Sequence, residues 1–121
     1  MREIRSYRDL EVWKLGMRLG KECYFLTRSF PKDELFGMTS QIRRAAASVP
    51  ANIAEGYGRD SRGDYVKFLR IAQGSLKELE THLMLSVDVE LATREAVMPV
   101  LDLCDQIGRM LRSLIRKLQE N

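Results

Sequence analysis

The chain has 121 residues and a mass of 14.0 kDa, with 20 Lys and Arg against 17 Asp and Glu and a net charge of +3. That size fits one domain that buries about two-thirds of the surface its unfolded chain exposes, so disulfide or metal staples are not required. Charged residues interrupt every apolar run, which excludes the roughly 20 apolar residues of a membrane span, and so mild a positive balance is not by itself a nucleic-acid signature.

Cys23 and Cys104 stand far apart in no ligand-like spacing, and the N-terminus does not resemble a signal peptide, so a reduced, cytoplasmic chain is expected. The charge bias is local. Residues 1–32 hold eight Lys and Arg against four Asp and Glu, residues 33–58 two against three, and residues 59–88 and 89–121 five against five each.

Ser6-Tyr-Arg-Asp9 has the form of a capping box and predicts a helix over about 7–28. Two adjacent rows at helical spacing, Leu10, Trp13, Met17, Gly20, Tyr24 and Val12, Gly16, Leu19, Cys23, Leu26, predict a wide buried face. Gly16-x-x-x-Gly20 lies inside that helix and reads as a close-packing feature, not a phosphate loop. The opposite row, Lys14, Arg18, Lys21 and Arg28, is basic with Phe25 among it. It reads first as a solvated face, with an acidic-partner patch as the alternative.

Phe30-Pro31 ends the helix, because the residue before proline is pushed out of helical conformation. The second helix is taken over 33–56. Asp33 and Glu34 suit its positive end, although Gly37 and Thr39-Ser40 leave open a single turn followed by a restart. Gly56-Tyr-Gly58 reads as a stop through glycine's left-handed dihedrals.

Ser61-Arg-Gly-Asp64 is a second capping box, weakened by Gly63, before a third helix over about 61–87. Its seam is Tyr65, Phe68/Leu69, Ala72, Leu76, Leu79, Leu83 and Val87, and its outward row contains Lys67, Arg70, Gly74 and Lys77. Thr93 caps a fourth helix over about 93–118, with Pro99 tolerated in its second turn. Asp102, Asp105, Arg109, Arg112 and Arg116 read as its ordinary charged exterior, and its basic end suits the helix dipole. Four long helices with short connections predict one all-α domain over 1–121, an antiparallel up-down-up-down four-helix bundle.

The second helix is unusual because it lacks an ordinary solvent face. Ile42, Ala45, Ala46, Val49 and Ile53 form its seam, Gln41, Arg44, Ser48, Asn52 and Glu55 a polar row, and Arg43, Ala47, Pro50, Ala51 and Ala54 a row of mostly small residues. The small row lets another backbone come close. A mid-helix proline costs about 3 kcal/mol or more unless the structure uses it, and Ser48 or Asn52 is expected to satisfy the carbonyl of Ala46 that Pro50 leaves unpaired. A packed interface is preferred to a bare alanine-rich surface, with Gln41, Arg44, Ser48, Ala51, Asn52 and Glu55 as its residues.

Gln41-Ile-Arg-Arg44, Ser48-Val-Pro-Ala-Asn-Ile-Ala-Glu-Gly56, Phe68-Leu69, Ala72 and Ser75-Leu-Lys-Glu-Leu-Glu80 are similar to the four-helix-bundle family of 23S rRNA intervening-sequence proteins. Tyr7-Arg-Asp-Leu-Glu-Val-Trp13 and Phe30-Pro31 extend the resemblance over nearly the whole chain. It implies a left-handed up-down bundle, a ring-shaped homopentamer and no established enzymatic activity. The family includes proteins encoded inside insertions of bacterial 23S rRNA and others encoded elsewhere; a relative, the accessory variability protein of diversity-generating retroelements, binds nucleic acid and a reverse transcriptase. Met38 and Ala47 fall at variable family positions, and Pro99 is unusual.

No catalytic constellation accompanies this pattern. His82 is the only histidine, and the di-iron bundle pattern needs Glu-x-x-His on two helices, so neither a metal nor another cofactor is expected. Two function classes remain. One is an oligomeric protein binding RNA or DNA through Lys14, Arg18, Lys21 and Arg28, or through Arg59, Arg62, Lys67, Arg70 and Lys77, repeated around a ring. The other is a protein–protein scaffold whose basic rows serve only solubility.

Overall fold

The computed structural model describes residues 3–120, and among them the only regular structure is helical. A 3-10 turn, Tyr7–Asp9, precedes α1 (Glu11–Thr27), and a second, Lys32–Glu34, precedes α2 (Met38–Tyr57); α3 spans Arg62–Asp88 and α4 Arg94–Gln119. α1 and α3 each pack against α2 and α4, while the backbones of the two diagonal pairs do not come close among the described residues, which is a four-helix bundle.

The cross-contacts run in opposite order along each neighbouring pair. Gly16 of α1 meets Pro50 of α2, and Thr27 near the end of α1 meets Arg43 near the start of α2. Gly56 abuts Tyr65 and Phe68, while Ser48 reaches Ser75. On the third pair Leu76 lies by Gly108 and Val87 by Val97. Chain neighbours are therefore antiparallel.

The helix starts differ from those predicted, for a local reason in each case. The capping box is present, with the Ser6 hydroxyl accepting from Arg8 N and the Asp9 carboxylate accepting from Ser6 N, but it closes only the 3-10 turn. Leu10 then takes an extended conformation and α1 begins at Glu11. Likewise Asp33 and Glu34 lie in a separate turn. The Glu34 carboxylate accepts from Met38 N at 3.1 Å, so it caps α2 from outside rather than opening it.

Two glycine assignments also change. No glycine in the described chain has a positive φ. α2 continues through Gly56, whose role is close approach: a Cβ there would lie 2.9 Å from Phe68 Cβ. Gly16 packs on Pro50, but nothing lies within 4 Å of a Cβ built on Gly20, so only the first member of the Gly16/Gly20 pair is a packing glycine. The one positive φ among the described residues, 66°, belongs to Glu90, where the chain leaves α3 and Leu91 N and Ala92 N both donate to Ser86 O.

The core is a single cluster. Leu19, Ile42, Ile53, Leu69, Leu79, Leu83, Ile107 and Leu111 are wholly buried, each stabilising the fold by roughly 1.5–3 kcal/mol relative to exposure. Cys23 and Cys104 belong to it, and burial pushes both thiols up to about 12, where they are neutral and unreactive.

Candidate functional site

Of the two apolar rows predicted for α1, Val12, Gly16, Leu19 and Cys23 are buried with Thr27, while Met17 and Tyr24 stand half in solvent. The row of Trp13, Met17, Gly20 and Tyr24 therefore faces outward beside α2. The small residues of α2 explain why. Pro50 is buried against the backbone of Gly16, so the close backbone approach that the small row permits is taken up by α1 of the same chain. Arg43 is drawn the same way, donating to Thr27 Oγ1 at 2.9 Å and lying 4.5 Å over the Tyr24 ring. What remains is an open groove of about 470 Å³ lined by Tyr7, Trp13, Met17, Gly20, Lys21, Tyr24, Ala47, Pro50, Ala51 and Ala54.

The polar row of α2 splits. Gln41, Arg44 and Glu55 point outward with Ala51, whereas Ser48 and Asn52 are half-buried against α3. The Ser48 and Ser75 hydroxyls hydrogen-bond at 2.8 Å, and Asn52 Nδ2 donates to both the carbonyl and the hydroxyl of Ser48. Neither side chain reaches the Ala46 carbonyl, contrary to the sequence expectation. The Asn52 amide reaches the turn that starts at Ser48, and the Ser48 hydroxyl is engaged by α3.

The two basic rows differ in how much charge they leave free. On α1, Lys14 pairs with Glu11 and Arg18 with Glu22, while Lys21 and Arg28 both lie over the Phe25 ring at 5.8 and 4.5 Å. In the second set Arg59 pairs with Glu55 and covers the Phe68 ring, Arg62 donates to the Glu120 carbonyl, and Lys77 pairs with Glu80. Lys67 and Arg70 make no ion pair among the described residues.

The fold adds what the helix-by-helix reading missed. Both α3 and α4 segments are balanced, yet α3 is basic first and acidic last while α4 is acidic first and basic last. Antiparallel packing lays like upon like. One half of the hairpin (residues 59–77 and 106–120) holds nine Lys and Arg against Asp60, Asp64 and Glu120; the other (78–105) holds seven Asp and Glu against Arg94 alone.

Within the basic half, Arg70 and Lys77 of α3 and Arg112 of α4 surround a groove of about 400 Å³ with Gln73, Leu76, Gly74 and Gly108. Nothing lies within 4 Å of a Cβ built on Gly74, so no side chain bars a phosphate from the helix surface there. Arg112, which the sequence reading left on an ordinary exterior, completes this cluster. Arg109 is withdrawn from it by Asp105, whose carboxyl the guanidinium holds below the usual carboxylate range.

His82 is largely buried, with Nε2 3.7 Å from a Glu78 oxygen and no hydrogen-bond partner. Among the described residues no group of three His, Cys, Asp or Glu side chains is gathered as metal ligands would be, and no helix is long and apolar enough to cross a membrane.

Comparison with known proteins agrees with the motif reading. The family model described as 23S rRNA-intervening sequence protein matches residues 8–113. A crystal structure from Bacteroides thetaiotaomicron, described as a protein of unknown function from the S23 ribosomal protein family, is similar at a TM-score of 0.81 and 28% identity. The match covers 87% of this chain and 95% of that one. No curated protein matches.

Proposed function

The chain belongs to the 23S rRNA-intervening sequence protein family, and from that premise we propose that it is a non-enzymatic, self-associating bundle that binds structured RNA through the cationic half of α3–α4. The observation that carries this reading is the segregation of nine cations against three carboxylates in one half of the α3–α4 hairpin, with Lys67, Arg70, Arg112, Arg116 and Lys117 in no ion pair among the described residues.

The order of charge along α4 is what its dipole favours. Along α3 it is mixed: Asp64 suits the positive end of the helix, but Arg62 opens it there and Asp88 closes it at its negative end. Helix stability therefore accounts for only part of the arrangement, and an external polyanion would account for the rest. Neutralising phosphates releases condensed counterions, so affinity from this face falls steeply with salt. The face offers cations and an open backbone but no row of free aromatic rings; Phe68 is covered by Arg59. It suits the backbone and groove shape of folded RNA rather than stacking on single strands. Self-association, most simply as the expected pentameric ring, multiplies the patch and raises avidity for a long ligand.

The test is titration of labelled structured RNA and duplex DNA at several salt concentrations with two double variants of equal charge change. Arg70→Glu/Arg112→Glu should weaken binding at least about tenfold. Lys14→Glu/Arg18→Glu should weaken it less than about threefold, because these two cations are already paired with Glu11 and Glu22. Equal losses, or no binding of either ligand at about 50 mM salt, would overturn the reading.

One observation favours a second reading, a protein–protein scaffold: the apolar groove between α1 and α2. Co-purification with and without nuclease separates the two, since a partner held through RNA is released by nuclease and a directly bound polypeptide is not.

A further inference from the structure

Leu35 and Phe36, in the turn between α1 and α2, are 49% and 93% exposed. No other large apolar side chain in the described chain is as bare as Phe36. The turn that carries it is nevertheless fixed. Glu34 N donates to Pro31 O, Leu35 N to Lys32 O and Gly37 N to Glu34 O, and the Glu34 carboxylate holds the first amide of α2. An aromatic ring carried into water on a hydrogen-bonded turn is a contact residue without its contact, since a Phe buries about 150–250 Å² when it packs.

The groove between α1 and α2 is the complementary feature. Trp13, Met17, Tyr24, Ala47, Pro50 and Ala51 line it, and its aromatic walls are set in place by the edge-on packing of Tyr7 against Trp13 and by Arg43 over Tyr24. Charge distinguishes this groove from the one at the α3–α4 end, lined by Met84, Val87, Val97, Met98 and Leu101. That second groove carries its own Asp88 and Arg94 and leaves no net charge to match. Lys21 on the rim of the α1–α2 groove, and Arg44 one turn from Ala47, have no carboxylate partner. Asp33, three residues before Phe36, has no cation.

We infer that the Leu35–Phe36 knob of one copy docks in the α1–α2 groove of a second copy, with Asp33 of the first meeting Lys21 or Arg44 of the second. The inference rests on the self-association part of the proposed function and gives it a geometry. Knob and groove are different surfaces of one chain, so the contact forms either reciprocally, in a two-fold pair, or head to tail, in a ring where the rotation closes. The outward residues Ala51 and Arg44 then lie in the contact, while Ser48 and Asn52 stay with α3.

The experiment is light-scattering mass of the full chain over a range of concentrations, with Phe36→Ser for the knob, Ala51→Glu for the groove and circular dichroism to verify folding. A mixing measurement accompanies it: Phe36→Cys protein and Met17→Cys protein, differently tagged, are combined under mild oxidant. The native cysteines are buried and do not compete. The expected result is an assembled wild type, about thirtyfold weaker association for each variant, the scale of an aromatic hot spot, and a disulfide-linked pair only in the mixture. An assembled wild type whose mass survives Phe36→Ser, with no mixed cross-link, overturns the docking and leaves self-association standing. A wild type that is monomeric at all concentrations overturns both. Capture of a different polypeptide by the groove, blocked by Ala51→Glu while Phe36→Ser has no effect, also refutes it.

Discussion

The two hairpins of this bundle share a fold but differ in length and present opposite exteriors. α1–α2 is drawn together by backbone contact, Pro50 against Gly16, and leaves an apolar, aromatic-walled groove whose nearby cations are mostly paired or stacked. α3–α4 is joined by larger side chains and carries a charge gradient from end to end, with an open backbone at Gly74. The lesson is that small residues on a helix exterior and balanced charge totals are both uninformative until the partner helix is placed. The methyl-sized row proves to be an internal contact with a groove beside it, and the neutral total conceals two opposed patches.

The largest expected effect probes the seam that joins the hairpins, where Cys23 of α1 and Cys104 of α4 are buried. Folding raises both thiols to about 12, so their contribution is complete below the unfolded value near 9 and is lost as pH climbs from there towards 12. Urea unfolding at about pH 8.5 and 10.5 should show the wild type losing roughly 2 kcal/mol per thiol more than Cys23→Ala/Cys104→Ala. Parallel losses in the two proteins would break the assignment.

Next comes a pair that sets one hairpin against the other. Gly16→Leu drives a side chain into Pro50 and should cost about 1–3 kcal/mol by urea denaturation. Gly74→Ala, in open space within α3, should gain up to about 1 kcal/mol from helix propensity. If both destabilise equally, the contrast between a closed and an open hairpin is wrong. The smallest effect belongs to the polar contact between α2 and α3. Ser75→Ala removes one partner of Ser48 while Asn52 retains the other, so the expected cost is about 1 kcal/mol with no change in oligomer mass.

Much of the fold was legible because hydrophobic period and turn residues agree over long stretches. Leu69, Ala72, Leu76, Leu79 and Leu83 fall on the predicted seam, and Thr93 caps α4 as expected, accepting from Ala96 N at 3.1 Å. Helix starts were less legible, because Ser6-x-x-Asp9 and Asp33-Glu34 are equally good signals for a single turn. Gly56 was misread because the same residue permits either a left-handed stop or a close crossing, and only the position of Phe68 decides between them. The joining of Arg112 with Arg70 and Lys77 was available in principle. Folding the two balanced helices back on each other in antiparallel register superimposes their basic ends, a step that helix-by-helix counting omits.

The central claim, that the basic half of α3–α4 is the RNA face, is tested most directly by the salt dependence of RNA binding. The logarithm of the association constant should fall linearly with the logarithm of salt concentration, and Arg70→Gln and Arg112→Gln should each reduce that slope by about one. A slope unchanged by either substitution, with affinity also unchanged, would contradict the account.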